Sequence, residues 1–222
     1  MRPAARSGRD AVAFHAAFAV VAGLALLLPA PALGWRLLAL VVGYNVALPV
    51  AGRAWRHREW IVLWAFLVPL SAFQVVPDAV LADVFGSLDF PATGGPRLGP
   101  TPLAMAGMWT IPLWVALFAA ERLSRGSTTR GAAWAAFLTG LLLVGAEATL
   151  WAVPVWQAVG VRAVGPVALY VVGPEVLLGA VAYLAYQQTR GRSVGVRLAA
   201  AALVSLVYLG ALAASYWAIE VA

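Results

Sequence analysis

V-P-D-A-V-L-A-D-V-F-G-S-L-D-F-P-A-T-G-G-P-R-L-G-P-T-P-L-A-M-A-G-M-W-T-I-P, residues 76–112, is the only long stretch of this chain that is not simply hydrophobic. It carries three carboxylates (Asp78, Asp83 and Asp89), one Arg (Arg97) and a dense set of Gly and Pro between two strongly apolar segments. Turn-forming residues at that density break regular structure, so residues 78–100 read as an ordered loop at a membrane surface. The remainder reads as helices that hold this loop.

Composition decides the solvent. Of 222 residues, 63% are hydrophobic and only 11% are charged, which leaves too little polar surface for an ordinary water-soluble domain. The sequence therefore reads as an integral membrane protein. It has no Cys, which excludes disulfides and thiolate metal sites. The net charge of +6 does not point to nucleic acid, because the basic residues are all Arg and fall in short clusters between apolar runs, as membrane topology requires.

A helical span needs roughly twenty mainly apolar residues. Seven segments qualify, at about 11–30, 35–51, 60–77, 101–120, 131–150, 163–187 and 198–219. The Arg clusters between them alternate. Arg2, Arg6, Arg9, Arg53, Arg56, Arg58, Arg122, Arg125, Arg130, Arg190, Arg192 and Arg197 fall on one side, and Arg36, Arg97 and Arg162 on the other. By the positive-inside rule the N-terminus is cytoplasmic and the C-terminus, with Glu220, is outside. The fold expected is thus an all-α integral membrane bundle of seven transmembrane helices, multi-pass in a bacterial inner membrane.

Ala30-Pro31-Ala32, after an Arg-bearing start and an apolar run, also has the form of a signal-peptide cleavage site; cleavage would leave six helices in the same orientation. No internal repeat or linker divides the chain, so residues 1–222 are read as one transmembrane domain. Connections such as 29–35 and 52–59 are short, which predicts antiparallel neighbours. The loop from Asp78 to Thr101 is expected to be the only long one.

Polar groups inside spans are costly and so draw attention to function. Glu147 falls about a turn from the outer end of the fifth span, and Glu175 near the middle of the sixth, behind Pro174 and Pro166. A carboxyl in hydrocarbon is disfavoured as the anion and can donate its proton. The plainer alternative is that each makes one interhelical hydrogen bond or reaches Arg162 or Arg97. Asp78 stands at the outer mouth of the third span with Gln74 one turn below it. Asp83 reads as a surface charge. Asp89 is placed to pair with Arg97 and pin the loop over the bundle.

His15 is alone and His57 sits among Arg, so no ligand spacing for a metal exists and none is expected. Asn45 reads as interhelical glue. Trp35, Trp60, Trp151, Trp156 and Trp217 lie near predicted interfaces, where aromatic belts form whatever the function. Trp109 differs: it stands behind the loop with Met105, Gly107 and Met108, facing the side from which Glu147 and Asp78 emerge.

Carboxyls in the outer half of a bundle, surrounded by Trp, Tyr170 and Met and roofed by a proline-rich loop, describe an apolar pocket that protonates a lipidic substrate. Aromatic faces then stabilise a carbocation, and an isoprenoid arriving sideways from the bilayer fits such a pocket. The run Phe90-Pro91-x-x-Gly94-Gly95-Pro96-x-x-Gly99-x-x-Pro102-Leu103 with Trp109 resembles the loop-and-helix pattern of membrane carotenoid hydratases. Gly173-Pro174-Glu175 is similar to the Pro-x-Glu-Glu motif of small membrane lycopene cyclases, with Val176 where a second Glu would stand. The whole also resembles the small seven-helix membrane terpene cyclases, in which paired acids start and end a proton-driven cyclisation.

The resemblance implies an isoprenoid cyclase or hydratase without metal or other cofactor. Glu175 or Glu147 would be the general acid, and Asp78 or the other Glu would take a proton back. Trp109, Trp151 and Tyr170 would shield the cation, with Gln74, Asp89 and Arg97 near the substrate. Two other classes stand beside it, a non-catalytic membrane scaffold or assembly subunit and a small transporter, although no matching halves are visible. A retinal protein is excluded, since the chain has no Lys to form a Schiff base.

Overall fold

The computed structural model describes residues 3–150 and 152–222. The chain is mostly helical, and its elements in order are α1 (Pro3–Leu27), α2 (Leu33–Ala54), α3 (Arg58–Phe73), α4 (Val75–Asp83), β1 (Leu88–Asp89), β2 (Arg97–Leu98), β3 (Thr101–Pro102), α5 (Met105–Met108), α6 (Thr110–Leu123), α7 (Thr128–Glu147), β4 (Gln157–Ala158), β5 (Ala163–Val164), β6 (Val167–Ala168), α8 (Leu169–Thr189), α9 (Val194–Tyr216) and a π-helical turn (Trp217–Val221). Six helices are long and apolar enough to cross a membrane: Arg6–Leu27, Leu33–Ala54, Arg58–Val84, Thr128–Glu147, Leu169–Thr189 and Val194–Val221. That is the make-up of a multi-pass membrane protein.

Local chemistry explains where the helices stop and bend. Ser127 caps α7 by accepting from the Arg130 amide at 3.3 Å, and Ser193 caps α9 by accepting from the Val196 amide at 3.5 Å. Between α3 and α4 the backbone stays helical through Gln74 (φ −66°, ψ −15°). The joint falls there because Pro77 has no N–H to give to the carbonyl of Phe73. That carbonyl instead accepts from the Ser205 hydroxyl of α9 at 3.1 Å. A side chain far along the sequence thus repairs the bond that proline removes, and the helix runs on to Asp83.

Close packing holds the bundle. On α8, a methyl group at Gly179 would meet the Ala135 carbonyl and Thr139, and α7 approaches as closely where Gly140 faces Val176. These contacts let two backbones come near enough for dispersion to join them where no hydrophobic force acts between helices. The core is aromatic and leucine-rich, with Tyr44, Leu48, Trp60, Phe66, Leu70, Trp114, Leu178 and Tyr183 fully buried.

Several expectations are corrected. The third span does not stop at residue 77, so Asp78 is a buried helical residue rather than a loop acid. The loop over the bundle starts after α4 and extends to Ala104, because Thr101 and Pro102 pair with Leu98 and Arg97 as strand instead of opening a helix. It is not the only long connection. Residues 152–168 belong to a second one, and helix α8 starts at Leu169 rather than 163, since Gly165 (φ 61°) turns Ala163–Val164 back onto Val167–Ala168.

The two loops clasp each other through the antiparallel pair of β1 and β4, with Leu88 opposite Ala158 and Asp89 opposite Gln157. Asp89 accordingly accepts from Gln157 Nε2 at 2.8 Å and does not pair with Arg97. Arg97 donates instead to the carbonyls of Phe90 and Pro100 inside its own loop. Trp60 does not lie in an interfacial belt. It is fully buried and donates to Ser7 Oγ at 3.0 Å. Asn45 does act between helices, donating to the Gly107 carbonyl at 3.1 Å.

Candidate functional site: an acid-lined apolar chamber

The clasped loops roof a cavity of about 360 Å³. Its wall is drawn from α4, α5, α6, α7, α8 and α9 together with both loops, and is mainly apolar, with Leu81, Met105, Met108, Ile111, Val115, Leu142 and Leu143 contributing. Into this wall are set Asp78, Glu147 and Glu175, each from a different helix. Three acids separated by up to almost a hundred positions in sequence thus face one volume.

Each carboxyl is placed by its own element. Asp78 is 4% exposed, on the first turn of α4, and its Oδ2 accepts from the Trp109 indole N–H at 3.4 Å. Glu175 is also 4% exposed; it follows Pro174 in α8, and its Oε2 has no hydrogen-bond partner among the described residues. Glu147 is half-buried at the last turn of α7, and its Oε2 is likewise unpartnered among the described residues. Buried polar atoms are usually satisfied in folded proteins, so the unpartnered Glu175 oxygen is open to a group that enters the chamber.

Aromatic groups complete the wall. Trp109 meets Tyr208 edge-on, with ring centroids 5.8 Å apart at 67°. Tyr170 is held by its hydroxyl against Ser87 Oγ at 2.8 Å, which ties α8 to the roof, and it packs on Tyr216 at 5.4 Å. Trp156 comes from the second loop. No Lys, Arg or His lines the chamber among the described residues.

Asp78, Glu147, Glu175, Trp109 and Tyr170 are therefore brought together, and three other expected residues are not. Gln74 is fully buried but faces α9, its Oε1 accepting from Ser205 Oγ at 3.0 Å. Asp89 and Arg97 are exposed on the loop, where they serve the clasp and the turn described above. Trp151 lies outside the described residues. Tyr208, Trp156 and Ser87 were not anticipated. For Tyr208 the signal was present, since Ser205 and Tyr208 are polar side chains three apart and so share one face of the last helix. Trp156 was hidden by its resemblance to an interfacial belt residue.

The opposite end of the bundle is polar and tied together. His57 bonds Asp10 at 2.9 Å, Ser7 donates to Glu59 at 2.5 Å, and Glu121 accepts from Tyr183 at 2.7 Å and from Gln187, and pairs with Arg190 at 3.1 Å. His15 stacks on Trp114 at 4.9 Å and bonds Tyr44 at 3.0 Å.

Fold and cavity together define a class, a helical membrane protein with an acid-lined apolar cavity. A family model described as "Domain of unknown function (DUF6989)" matches residues 75–219, and the chain belongs to that family. The matched stretch contains every residue that lines the chamber, while α1, α2 and α3 lie outside it. No curated protein matches the chain, and no solved structure does.

Proposed function

We propose that this protein is a membrane-embedded isoprenoid cyclase or hydratase that works by carboxyl proton transfer. The observation that carries the reading is the convergence of Asp78, Glu147 and Glu175 on one apolar, aromatic-walled chamber. Glu175 or Glu147 would protonate an alkene or epoxide of the substrate. In the alkene case a C–H bond forms, the π pair leaves a tertiary cation at the neighbouring carbon, and a carboxylate remains. Trp109, Trp156, Tyr170 and Tyr208, which line the chamber, would shield that cation. Once Asp78 or the other Glu has passed its own proton to the donor carboxylate and stands as the anion, ring closure followed by proton loss to it gives a cyclised isomer; addition of water followed by the same proton loss gives an alcohol. The similarity of the loop and of Gly173-Pro174-Glu175 to membrane carotenoid and terpene enzymes supports the same chemistry.

In this reading α5 and α6 act as one further span, broken at Trp109, where the backbone remains helical (φ −60°, ψ −23°). The chain then crosses seven times in a bacterial inner membrane, with the Arg-rich end cytoplasmic and the chamber toward the outside. Proteoliposomes containing the full chain, given a farnesyl-chain terminal epoxide or a linear carotenoid in D2O, test the chemistry. Product should form, carrying deuterium on carbon when the carotenoid alkene is protonated and only exchangeable O–D when the epoxide is, and Glu175→Gln should slow its formation by about 10²–10⁴-fold. Absence of conversion of both substrates, or unchanged rates when each of the three acids is replaced in turn, would overturn it.

A further inference from the structure

We propose that the chamber is a binding site for a lipophilic monocation, an ammonium group carried on an apolar chain. The inference rests on the reading above, in that an ammonium has the charge of the carbocation required there, but its evidence is the chamber alone. Asp78, Glu147 and Glu175 face the cavity from three helices, and no basic side chain lines it among the described residues. The Arg residues that form ion pairs, Arg6, Arg9, Arg122 and Arg190, do so at the opposite end. Glu175 supplies the independent sign of a ligand. It is 4% exposed, it lines the cavity, and its Oε2 is unpartnered among the described residues.

A lone ionised carboxylate is costly in apolar surroundings unless a counter-charge joins it. The chamber holds three acids and no such charge, so an entering cation is what allows one of them to ionise. The walls suit the same guest. Trp109 donates its N–H to Asp78 and packs at a steep angle on Tyr208, and Tyr170 is anchored by Ser87, so the aromatic groups are held in place before a cation arrives. Anionic lipids find no cationic partner there, and a neutral chain leaves the Glu175 oxygen unpaired.

Proton balance makes the proposal measurable. A tertiary amine, protonated in water, enters as the ammonium; one carboxyl gives its proton to the solvent and remains as the paired carboxylate. The O–H bond of that acid breaks and the net charge of the occupied chamber is unchanged. The titratable groups that face the guest are Asp78 on α4, Glu147 on α7, Glu175 and Tyr170 on α8, and Tyr208 on α9.

The test uses the full chain in lipid nanodiscs, with N,N-dimethyldodecylamine and dodecanol as probes. Calorimetry is run in two buffers of different ionisation enthalpy, with empty nanodiscs subtracted. The amine should bind at least about tenfold more tightly than the alcohol, with release of about one proton per chain. Glu175→Gln should remove most of that preference and keep the alcohol's affinity, while Asp83→Asn, on the exposed end of α4, should change neither. Should Glu175→Gln lose both probes through misfolding, Glu147→Gln and Asp78→Asn carry the same comparison. Equal affinity for the two probes, no proton release, or an unchanged preference in all three acid variants would overturn the site. Amine binding without isoprenoid conversion would uphold the cation site and remove the enzyme; conversion without amine preference would do the reverse.

Discussion

Replacing Ser205 by Ala in α9 should cost stability mostly because Pro77 interrupts the helix packed against it. The Ser205 hydroxyl lies 3.1 Å from the Phe73 carbonyl and 3.0 Å from Gln74 Oε1, and its single hydrogen is shared between them. In the native chain Ser205→Ala leaves the Phe73 carbonyl without a donor, since residue 77 has no N–H. An interhelical hydrogen bond in a membrane protein is worth about 0.6 kcal/mol on average and up to about 1.7 kcal/mol. Abandoning a buried acceptor brings the expected cost to about 1–2 kcal/mol. In a Pro77→Ala background the amide of residue 77 can reach the Phe73 carbonyl four residues back, as in any α-helix. Ser205→Ala then removes only the bond to Gln74, at about 0.5 kcal/mol. The two substitutions should therefore couple by about 1 kcal/mol in a double-mutant cycle. Far-UV circular dichroism in mixed micelles, with rising dodecyl sulfate, measures each corner of the cycle. Equal cost of Ser205→Ala in both backgrounds would refute the idea that this hydroxyl repairs the proline break.

Gly179→Ala should destabilise the contact of α7 with α8 by about 1–3 kcal/mol, because the new methyl group has only the Ala135 carbonyl and Thr139 to displace; the same unfolding measurement checks it, and an unchanged midpoint would count against the close approach. Orientation is open to direct labelling, as the chain has no Cys of its own. With an impermeant maleimide added to intact cells, Val159→Cys in the second loop should react and Thr129→Cys at the start of α7 should not; the reverse pattern would invert the topology proposed above.

The amount of this protein legible in its sequence varied with the distance over which its parts act. Helices α1 and α2 and most of α7 were legible because each is apolar over the thickness of a bilayer, which is a local property. Glu147 and Glu175 stood out for the same reason, as charges inside such runs. Asp78 was misplaced because Pro77-Asp78 has the local chemistry of a turn; the donor that keeps α4 helical, Ser205, is more than a hundred residues away. The pairing of Asp89 was misassigned because Gln157 belongs to a loop that spacing alone does not bring near. Trp60 and Trp156 look alike as aromatic residues close to span ends, yet one fills the core and the other lines the chamber.

The sequence by itself determined the solvent, since runs of about twenty apolar residues hide their backbone polarity from lipid by forming helices. It also determined where charge could reside, through short Arg clusters that hydrocarbon would not accept. What only the tertiary structure decided is that Asp78, Glu147 and Glu175 share one chamber, with Tyr208 among them. Which way a helix turns its few polar side chains depends on its partners, here on glycine contacts between α7 and α8 and on the Ser205 bond between α9 and α3. Those contacts join residues far apart in the chain, and no local pattern records them.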